Sequence, residues 1–260
     1  MASSPQEPAL FRPPPNGQPR VAAPDLQALR RAIPQHCFRP SIAVSLRHIA
    51  LDLSFALLLL AVTLYLPGAE PSPLRWALLL AFSFLQGLVF MGLWVLGHEC
   101  GHGALFPSRR LNDFFGFTLH SILLVPYFSF KYSHARHHRY TNHIDKDTVF
   151  VPSRGSVDAL HWQIVRLHRA LGFAHDSPFV SLLQLLSQQL FAVPMYFLFY
   201  LSGGAGSGTE KPKFLFKSHF NPKSGLFSPS EQPYILLSDA GVLLLLAALW
   251  KASSVLPSRI

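Results

Sequence analysis

The feature that most restricts the fold of this chain is a set of long apolar runs with almost no charged side chains. Four such runs cover residues 49–66, 76–97, 179–201 and 234–251. As a helix, each is long enough to cross a hydrocarbon core of about 30 Å. The last run is the weakest, but Asp239 and Lys251 lie near its ends, from which they can reach the headgroups. The sequence therefore predicts an all-α integral membrane protein with about four transmembrane helices.

Composition excludes several classes of protein and suggests how the rest of the chain is organised. Only 13% of the residues are charged, whereas soluble domains carry about 25%, so an ordinary soluble globule is excluded. Two cysteines are too few for a disulfide framework. We expect a disordered arm over residues 1–24, an amphipathic pre-span segment over 25–47 with a helix over 25–36, and one membrane domain over 48–260. The arm lacks the apolar run of a signal peptide. Because it contains Arg and few acidic residues, an organelle transit peptide stays as an alternative.

Basic residues orient the predicted spans. Six Arg precede the first span, none lies in the 67–73 hairpin, and nine Lys and Arg fall between residues 98 and 178. Because basic residues are enriched on the cytoplasmic side, we expect the N-terminus and the 98–178 region to be cytoplasmic. Strict alternation of four spans then predicts a lumenal loop over 202–233, although that loop carries four Lys. The net charge of +9 comes from this cytoplasmic excess, so no nucleic acid partner is expected.

Two groups among the 13 histidines have metal-ligand spacing. The first histidine group, His98 and His102, follows the second span; the second histidine group is His134, His137 and His138. Residues three or four positions apart on a helix lie about 5 to 6 Å apart on one face. Neutral imidazole at such spacing binds Fe, Zn, Cu or Ni. Five imidazoles at one membrane face suggest two metal ions and oxidative chemistry with dioxygen rather than hydrolysis.

A fifth apolar run, from Phe114 to Phe130, separates the two histidine groups and has no charge over 17 residues. If it crossed the bilayer, the two groups would face opposite compartments and could not share a metal site. Basic residues flank both of its ends, and Pro126 interrupts it. We therefore expect a re-entrant or interfacial helix that dips into the membrane and returns to a cytoplasmic histidine region.

The first histidine group also allows a different interpretation. His98 to His102 has the form H-E-x-x-H of zinc proteases, in which Glu99 would be the general base and Asp239 a third ligand. Three further histidines argue against a mononuclear zinc site, but an intramembrane zinc metalloprotease stays as an alternative. We expect ordinary hydrogen-bonded or interfacial roles for His36, His48 and His120, and one stripe of a surface helix for His161, His168 and His175.

Five segments carry a wider pattern: LRRAIPQHCF at 29–38, GHECGH at 97–102, LHSILLVPYFS at 119–129, KYSHARHH at 131–138, and Asp147 with VFVP at 149–152. Together they resemble the membrane fatty acyl desaturases, and within them the delta-12 and omega-3 branch. The resemblance extends over roughly residues 25–250.

This resemblance implies an enzyme that introduces a cis double bond into an acyl chain, of the delta-12 type that converts oleoyl to linoleoyl. It implies a di-iron centre at the cytoplasmic face, with dioxygen as co-substrate and supporting roles for Glu99 and Asp147. The metal ligands it implies are His98, His102, His134, His137 and His138. Electrons would come from cytochrome b5 and its reductase at the endoplasmic reticulum, or from ferredoxin in a plastid. The other partners would be the bilayer and a fatty acyl lipid.

One part of the family pattern is absent from this chain. The family has a third box of the form H-x-x-H-H after the last span, and no such motif follows His138. We therefore expect a C-terminally truncated desaturase that is inactive as this chain; a catalytically dead paralogue with a regulatory role is an alternative. The motifs separate neither delta-12 from omega-3 chemistry nor desaturation from hydroxylase, acetylenase or conjugase outcomes.

Overall fold

Helices form the regular structure of the described part of the chain. The computed structural model describes residues 25–65, 72–143, 146–149, 177–200 and 217–255. In these ranges there is no strand, and the helices besides a 3₁₀ turn at Gln35–Phe38 are α1 Leu26–Ala32, α2 Ile42–Tyr65, α3 Pro73–His102, α4 Arg109–Ile122, α5 Tyr127–Tyr140, α6 Pro178–Phe199 and α7 Gln232–Val255. The predicted all-α fold is confirmed. The predicted arm over 1–24 and the predicted surface helix with His161, His168 and His175 lie outside the described residues.

The described residues up to Arg39, residues 25–39, belong to a unit of their own. Asp25 caps α1, because its side chain accepts a hydrogen bond from the backbone N–H of Gln27 at 2.9 Å. The sequence predicts a helix over 25–36, but α1 is shorter. Pro34 disfavours helical backbone at the residue before it, and Ile33 is accordingly extended.

The helices α2, α3, α6 and α7 are each long and apolar enough to cross a membrane, which confirms the four predicted spans. Three of them extend well beyond the predicted runs, since α2 begins at Ile42, α3 continues to His102 and α7 covers Gln232–Val255. Helix α3 stops only at Gly103, whose φ of +70° is a left-handed conformation that glycine adopts readily. With 30 residues, α3 is about 45 Å long and carries a span and the first histidine group without a break.

The helices α4 and α5 form a bent pair with an angle of 111° between them. The turn between them includes Leu124, at a φ of +58°, and Pro126. The pair starts soon after the first histidine group, and the Nε2 atom of His134 on α5 lies 2.7 Å from that of His98 on α3. The run therefore returns to the face it left, as predicted for a segment that dips into the membrane. We call this face, where both histidine groups lie, the histidine face.

The segment between α6 and α7 corrects one prediction. Arg136, on α5 beside the second histidine group, donates a hydrogen bond to the carbonyl of Leu226 at 2.5 Å and forms an ion pair with Glu231. Residues 217–231 therefore lie at the histidine face, and the prediction that the 202–233 loop lies on the opposite side of the membrane from the histidines is wrong for them. Strict alternation of four spans led to this error, whereas the loop's own lysines already favoured the face that holds the other basic residues.

Two glycines allow the helices around the histidines to pack closely. A Cβ atom on Gly97 of α3 would lie 2.2 Å from Cδ2 of His120 on α4, and one on Gly116 of α4 would lie 2.3 Å from the Tyr127 ring on α5. Both distances are far below van der Waals contact, so only glycine fits at either position. The first histidine group is thereby held against the bent pair that carries the second group.

Candidate metal centre

Four imidazole rings from two helices converge at one point on the histidine face. One ring nitrogen from each of the four lies within 4.8 Å of those of the others, and the residues are His98, His102, His134 and His138. The Nε2 atoms of His98 and His134 are 2.7 Å apart, and those of His134 and His138 are 3.0 Å apart. The corresponding distance between His98 and His102 is 3.2 Å. The structure thus brings together four of the five predicted ligands.

Helical spacing and aromatic neighbours explain this convergence. Each helix contributes two rings at positions i and i+4, which share a face. Trp94 stacks on His98 with ring centroids 5.5 Å apart, and Phe130 stacks on His134 at 4.8 Å. These contacts restrict rotation of the two inner rings and give the cluster an apolar floor, while His102 is exposed and leaves the opposite side open to solvent.

The four nitrogen atoms fit a bound cation better than they fit one another. The Nε2 atom of a neutral imidazole carries either one proton or one lone pair and so forms one good hydrogen bond. The Nε2 atoms of His98 and His134 each have two other imidazole nitrogens within 3.2 Å, so the three contacts cannot all be hydrogen bonds. A metal ion bound to imidazole nitrogens at about 2.0 to 2.1 Å places neighbouring nitrogens about 3 Å apart, which is close to the 2.7, 3.0 and 3.2 Å of the three contacts above. The donor set, four nitrogens without a carboxylate, suits a transition metal rather than Mg²⁺ or Ca²⁺.

His137 lies beside this cluster without joining it. Its ring centroid is 6.0 Å from that of His134, and its Nδ1 contacts Oδ1 of Asp147 at 2.7 Å. A carboxylate at Nδ1 fixes the tautomer that leaves the Nε2 lone pair for a metal. The role of His137 as a ligand stays a prediction.

Asp147 is fully buried and anchored by backbone groups. It accepts hydrogen bonds from the N–H of Val149 at 2.9 Å and from the N–H of Asn142 at 3.1 Å. Burial raises the pKa of Asp147, but the hydrogen bonds from Val149, His137 and Asn142 outweigh it and hold the pKa below its ordinary value. The carboxylate is therefore ionised at neutral pH and able to orient the imidazole of His137.

The acidic residues of the zinc protease interpretation lie outside the cluster. Oε1 of Glu99 contacts Nδ1 of His98 at 3.1 Å, and the Glu99 side chain is 41% exposed. It therefore lies behind a predicted ligand rather than at the point where the four rings meet. Within the described residues, Asp239 on α7 is not part of the group either.

His120 has the hydrogen-bonded structural role that we expected. It is fully buried, its Nε2 donates to the backbone carbonyl of Trp94 at 3.1 Å, and its ring stacks on the Trp94 ring. His120 thus supports the same indole that packs against His98.

No sequence pattern connects His219 with the site. It follows no ligand spacing, yet it is fully buried and its Nε2 lies 3.2 Å from the hydroxyl of Ser133, directly before His134. Burial lowers its pKa to about 3, so the ring is neutral. The contact exists because the loop between α6 and α7 lies at the histidine face. Alternation of the spans had predicted the opposite side, so the sequence could not indicate it.

Comparisons with known proteins agree with these features. The family model described as fatty acid desaturase matches residues 74–256. An oleate hydroxylase of Claviceps purpurea is 37% identical over 86% of this chain and 49% of its own length. A delta-12 fatty acid desaturase of Mortierella isabellina is 37% identical over 88% of this chain and 57% of its own. For an endoplasmic reticulum omega-6 fatty acid desaturase of Glycine max the values are 38%, 87% and 54%.

The chain spans about half the length of these curated relatives. No solved structure matches it.

Proposed function

Because the chain belongs to the fatty acid desaturase family, we propose that it forms part of a membrane acyl-lipid desaturase of the delta-12 type. Such an enzyme places a cis double bond in an oleoyl chain to give a linoleoyl chain, with dioxygen as the oxidant. The single observation that carries this proposal is the cluster of four imidazoles at the end of a membrane span. An oxidising metal centre beside the bilayer is what the desaturation of an unactivated acyl chain requires.

We propose that the metal is iron and that two ions bind. His98, His102, His134 and His138 would hold one ion, and His137 would contribute to the second. Iron bound there supplies the oxidising power from dioxygen that an unactivated C–H bond needs. The protein's own contribution is orientation and exclusion of water.

Three features of the chain orient the proposed ligands and give them an apolar surrounding. The Asp147 carboxylate fixes the tautomer of His137. Trp94 and Phe130 pack against the inner rings and give the cluster an apolar side. A neutral histidine set adds no net charge of its own that would have to be buried beside the membrane.

The proposed location is the endoplasmic reticulum membrane, with the N-terminus and the histidine face cytoplasmic. In support, Arg109 and Arg110 at the start of α4 and Arg139 near the end of α5 are exposed, and basic residues are enriched on the cytoplasmic side. This basic surface would attract anionic headgroups and an acidic electron donor such as cytochrome b5. A plastid form would use ferredoxin instead.

The outcome of the C–H chemistry is part of the proposal. The relatives include both desaturases and an oleate hydroxylase at equal identity, so overall similarity does not separate the two reactions. Desaturation is favoured here because more of the relatives carry that name. The expectation that these 260 residues alone are inactive stays a prediction.

Metal analysis tests the proposal most directly. The chain is purified in detergent after expression in medium with both iron and zinc, and its metals are measured by mass spectrometry. We expect iron in excess of zinc, and loss of that iron in a His134→Ala variant but not in His48→Ala, an exposed histidine of α2. One equivalent of zinc without iron would refute the assignment. Gas chromatography of fatty acids from a yeast that makes only monoenes then tests activity, and the 260 residues alone should yield no diene.

A further inference from the structure

The second histidine group has a buried polar support behind it, centred on Ser133. Ser133 is fully buried on α5, directly before His134 and one helical turn before His137. Its hydroxyl donates to the carbonyl of Phe130 at 3.0 Å. Nε2 of His219 approaches the same hydroxyl oxygen at 3.2 Å, and the hydroxyl of Tyr196 on α6 approaches it at 3.4 Å.

The hydrogen-bonding capacity of a hydroxyl fixes the direction of these contacts. Ser133 has one proton, and when it goes to the Phe130 carbonyl the Ser133 oxygen accepts from Nε2–H of His219. The single proton of the Tyr196 hydroxyl lies between two acceptors, the Ser133 oxygen and the carbonyl of Thr148. His219 therefore carries its proton on Nε2. Its Nδ1 is then a lone pair, and this atom is buried without any hydrogen-bond partner. Within the described residues, the Ser133 hydroxyl is thus the side-chain hydrogen-bond partner of this buried ring.

The same network reaches the carboxylate that orients His137. The hydroxyl of Thr148 donates to the backbone carbonyl of Ser133 at 2.6 Å, and the hydroxyl of Tyr196 also contacts the carbonyl of Thr148 at 3.3 Å. Thr148 directly follows Asp147 in the chain. Ser133 and Tyr196 thus hold both the turn of α5 that carries the histidines and the short segment that carries Asp147.

A second contact ties the loop to the same helix. Arg136 donates a hydrogen bond to the carbonyl of Leu226 and pairs with Glu231, and both charged side chains are half-buried. The loop that carries His219 is therefore attached to α5 on both sides of His134. Aromatic rings from Tyr196, Phe197 and Tyr200 surround His219 and exclude other conformations of its ring.

We propose that His219 is a positioning residue for the second histidine group, acting through Ser133 on α5 and through Tyr196 and Thr148 on the Asp147 that orients His137. This inference rests on the metal-binding role given under the proposed function. It assigns to the loop between the last two helices a part in setting the metal geometry, at a distance from the metal ligands themselves.

Two substitutions at His219 separate positioning from packing. His219→Phe keeps an aromatic ring and removes both nitrogens, including the unpartnered Nδ1, so a purely structural residue would tolerate it. His219→Gln offers an amide N–H in the place of Nε2–H. The matched control is His48→Phe, at an exposed histidine on α2. Thr148→Val, nearly equal in volume, breaks the link to the Ser133 carbonyl without changing His219.

The experiment titrates cobalt(II), a spectroscopic substitute for ferrous iron, into each full-length variant in detergent and records affinity and absorption spectrum. We expect about tenfold weaker cobalt binding and a shifted spectrum for His219→Phe and Thr148→Val, the low end of the range for residues that support ligands. His219→Gln should recover most of both, and His48→Phe should match the unchanged chain. Size-exclusion elution and melting temperature identify any variant that has unfolded, and Thr148→Val then carries the test.

Equal affinity and spectrum in folded His219→Phe and Thr148→Val would overturn the inference while leaving the metal site intact. The opposite failure is distinguishable, because an unchanged chain that binds neither cobalt nor iron would overturn the proposed function instead.

Discussion

Replacing Asp147 by Asn should weaken metal binding and destabilise the fold, although the two side chains have the same shape. The carboxylate is fully buried and accepts hydrogen bonds from Nδ1–H of His137 and from the N–H groups of Asn142 and Val149. An asparagine keeps one oxygen as an acceptor and presents an NH₂ group in place of the other. At least one of these donors must then face another donor.

The magnitude follows from this mismatch. One buried N–H without an acceptor costs about 1 to 3 kcal/mol, and exchanging charged for neutral hydrogen bonds costs about 1 kcal/mol more. We expect Asp147→Asn to lower the free energy of unfolding by about 2 to 4 kcal/mol. Loss of the carboxylate behind His137 should also reduce metal affinity by about 10- to 100-fold.

Glu99→Gln is the matched comparison for this prediction. Glu99 also contacts Nδ1 of a predicted ligand, but at 3.1 Å and with its side chain 41% exposed. Because Glu99 is exposed, a water molecule can accept the hydrogen bond from Nδ1 of His98 in place of the carboxylate. The change in metal affinity should therefore be less than about threefold. Cobalt titration and thermal unfolding in detergent measure both effects. Equal, small effects of the two substitutions would refute the argument that burial makes Asp147 the orienting residue.

The pH dependence of the same pair has a defined sign. Because hydrogen bonds hold the pKa of Asp147 below its ordinary value, its stabilising contribution is fully present above the unfolded pKa of about 3.9. It is lost as the pH falls through the lower pKa of the folded state. The difference in melting temperature between the unchanged chain and Asp147→Asn should therefore be constant above about pH 5 and shrink below about pH 4. A difference that instead grew toward low pH would contradict this sign.

Three further predictions concern the packing around the site. Gly97→Ala should lower the melting temperature by several degrees, measured by size-exclusion after heating, because its Cβ would lie 2.2 Å from Cδ2 of His120; an unchanged value would contradict the close approach. Cys100 is fully buried, so a maleimide should modify it only on unfolding, whereas the chain's other cysteine, which is exposed, reacts at once and serves as the internal control. Arg136→Met and Glu231→Gln should each cost about 1 to 3 kcal/mol, and the double variant much less than their sum, since both break one half-buried ion pair.

The sequence predicted most of the elements and the inner part of the site. Charge-free runs located the four span helices because a bilayer leaves few other structures for such segments. Helical spacing brought the histidines of each group onto one face. The return of the Phe114–Phe130 run was predicted from the need for the two groups to meet, and the contact between His98 and His134 agrees with it.

Tertiary contacts account for what the sequence did not predict. The loop before α7 was placed on the wrong face because alternation of spans contains no information on the pairing of Arg136 with Glu231. His219 had no spacing to identify it, since its partner Ser133 is 86 residues earlier in the chain. His137 contacts the Asp147 carboxylate and lies apart from the four-ring cluster, which the helical spacing of the second histidine group does not reveal.

The unbroken course of α3 links the proposed metal centre to the thickness of the surrounding bilayer. The helix is 30 residues long, about 45 Å, whereas the hydrocarbon core measures about 30 Å. A helix longer than the core adapts to a thinner or thicker bilayer by changing its tilt. With no hinge between the span and His98, any such change of tilt is passed directly to two of the four rings, while the other two stay with the bent pair. Lipid chain length is therefore expected to change the distances between the rings of α3 and those of α5. The bilayer then influences the geometry of the proposed metal site through its thickness.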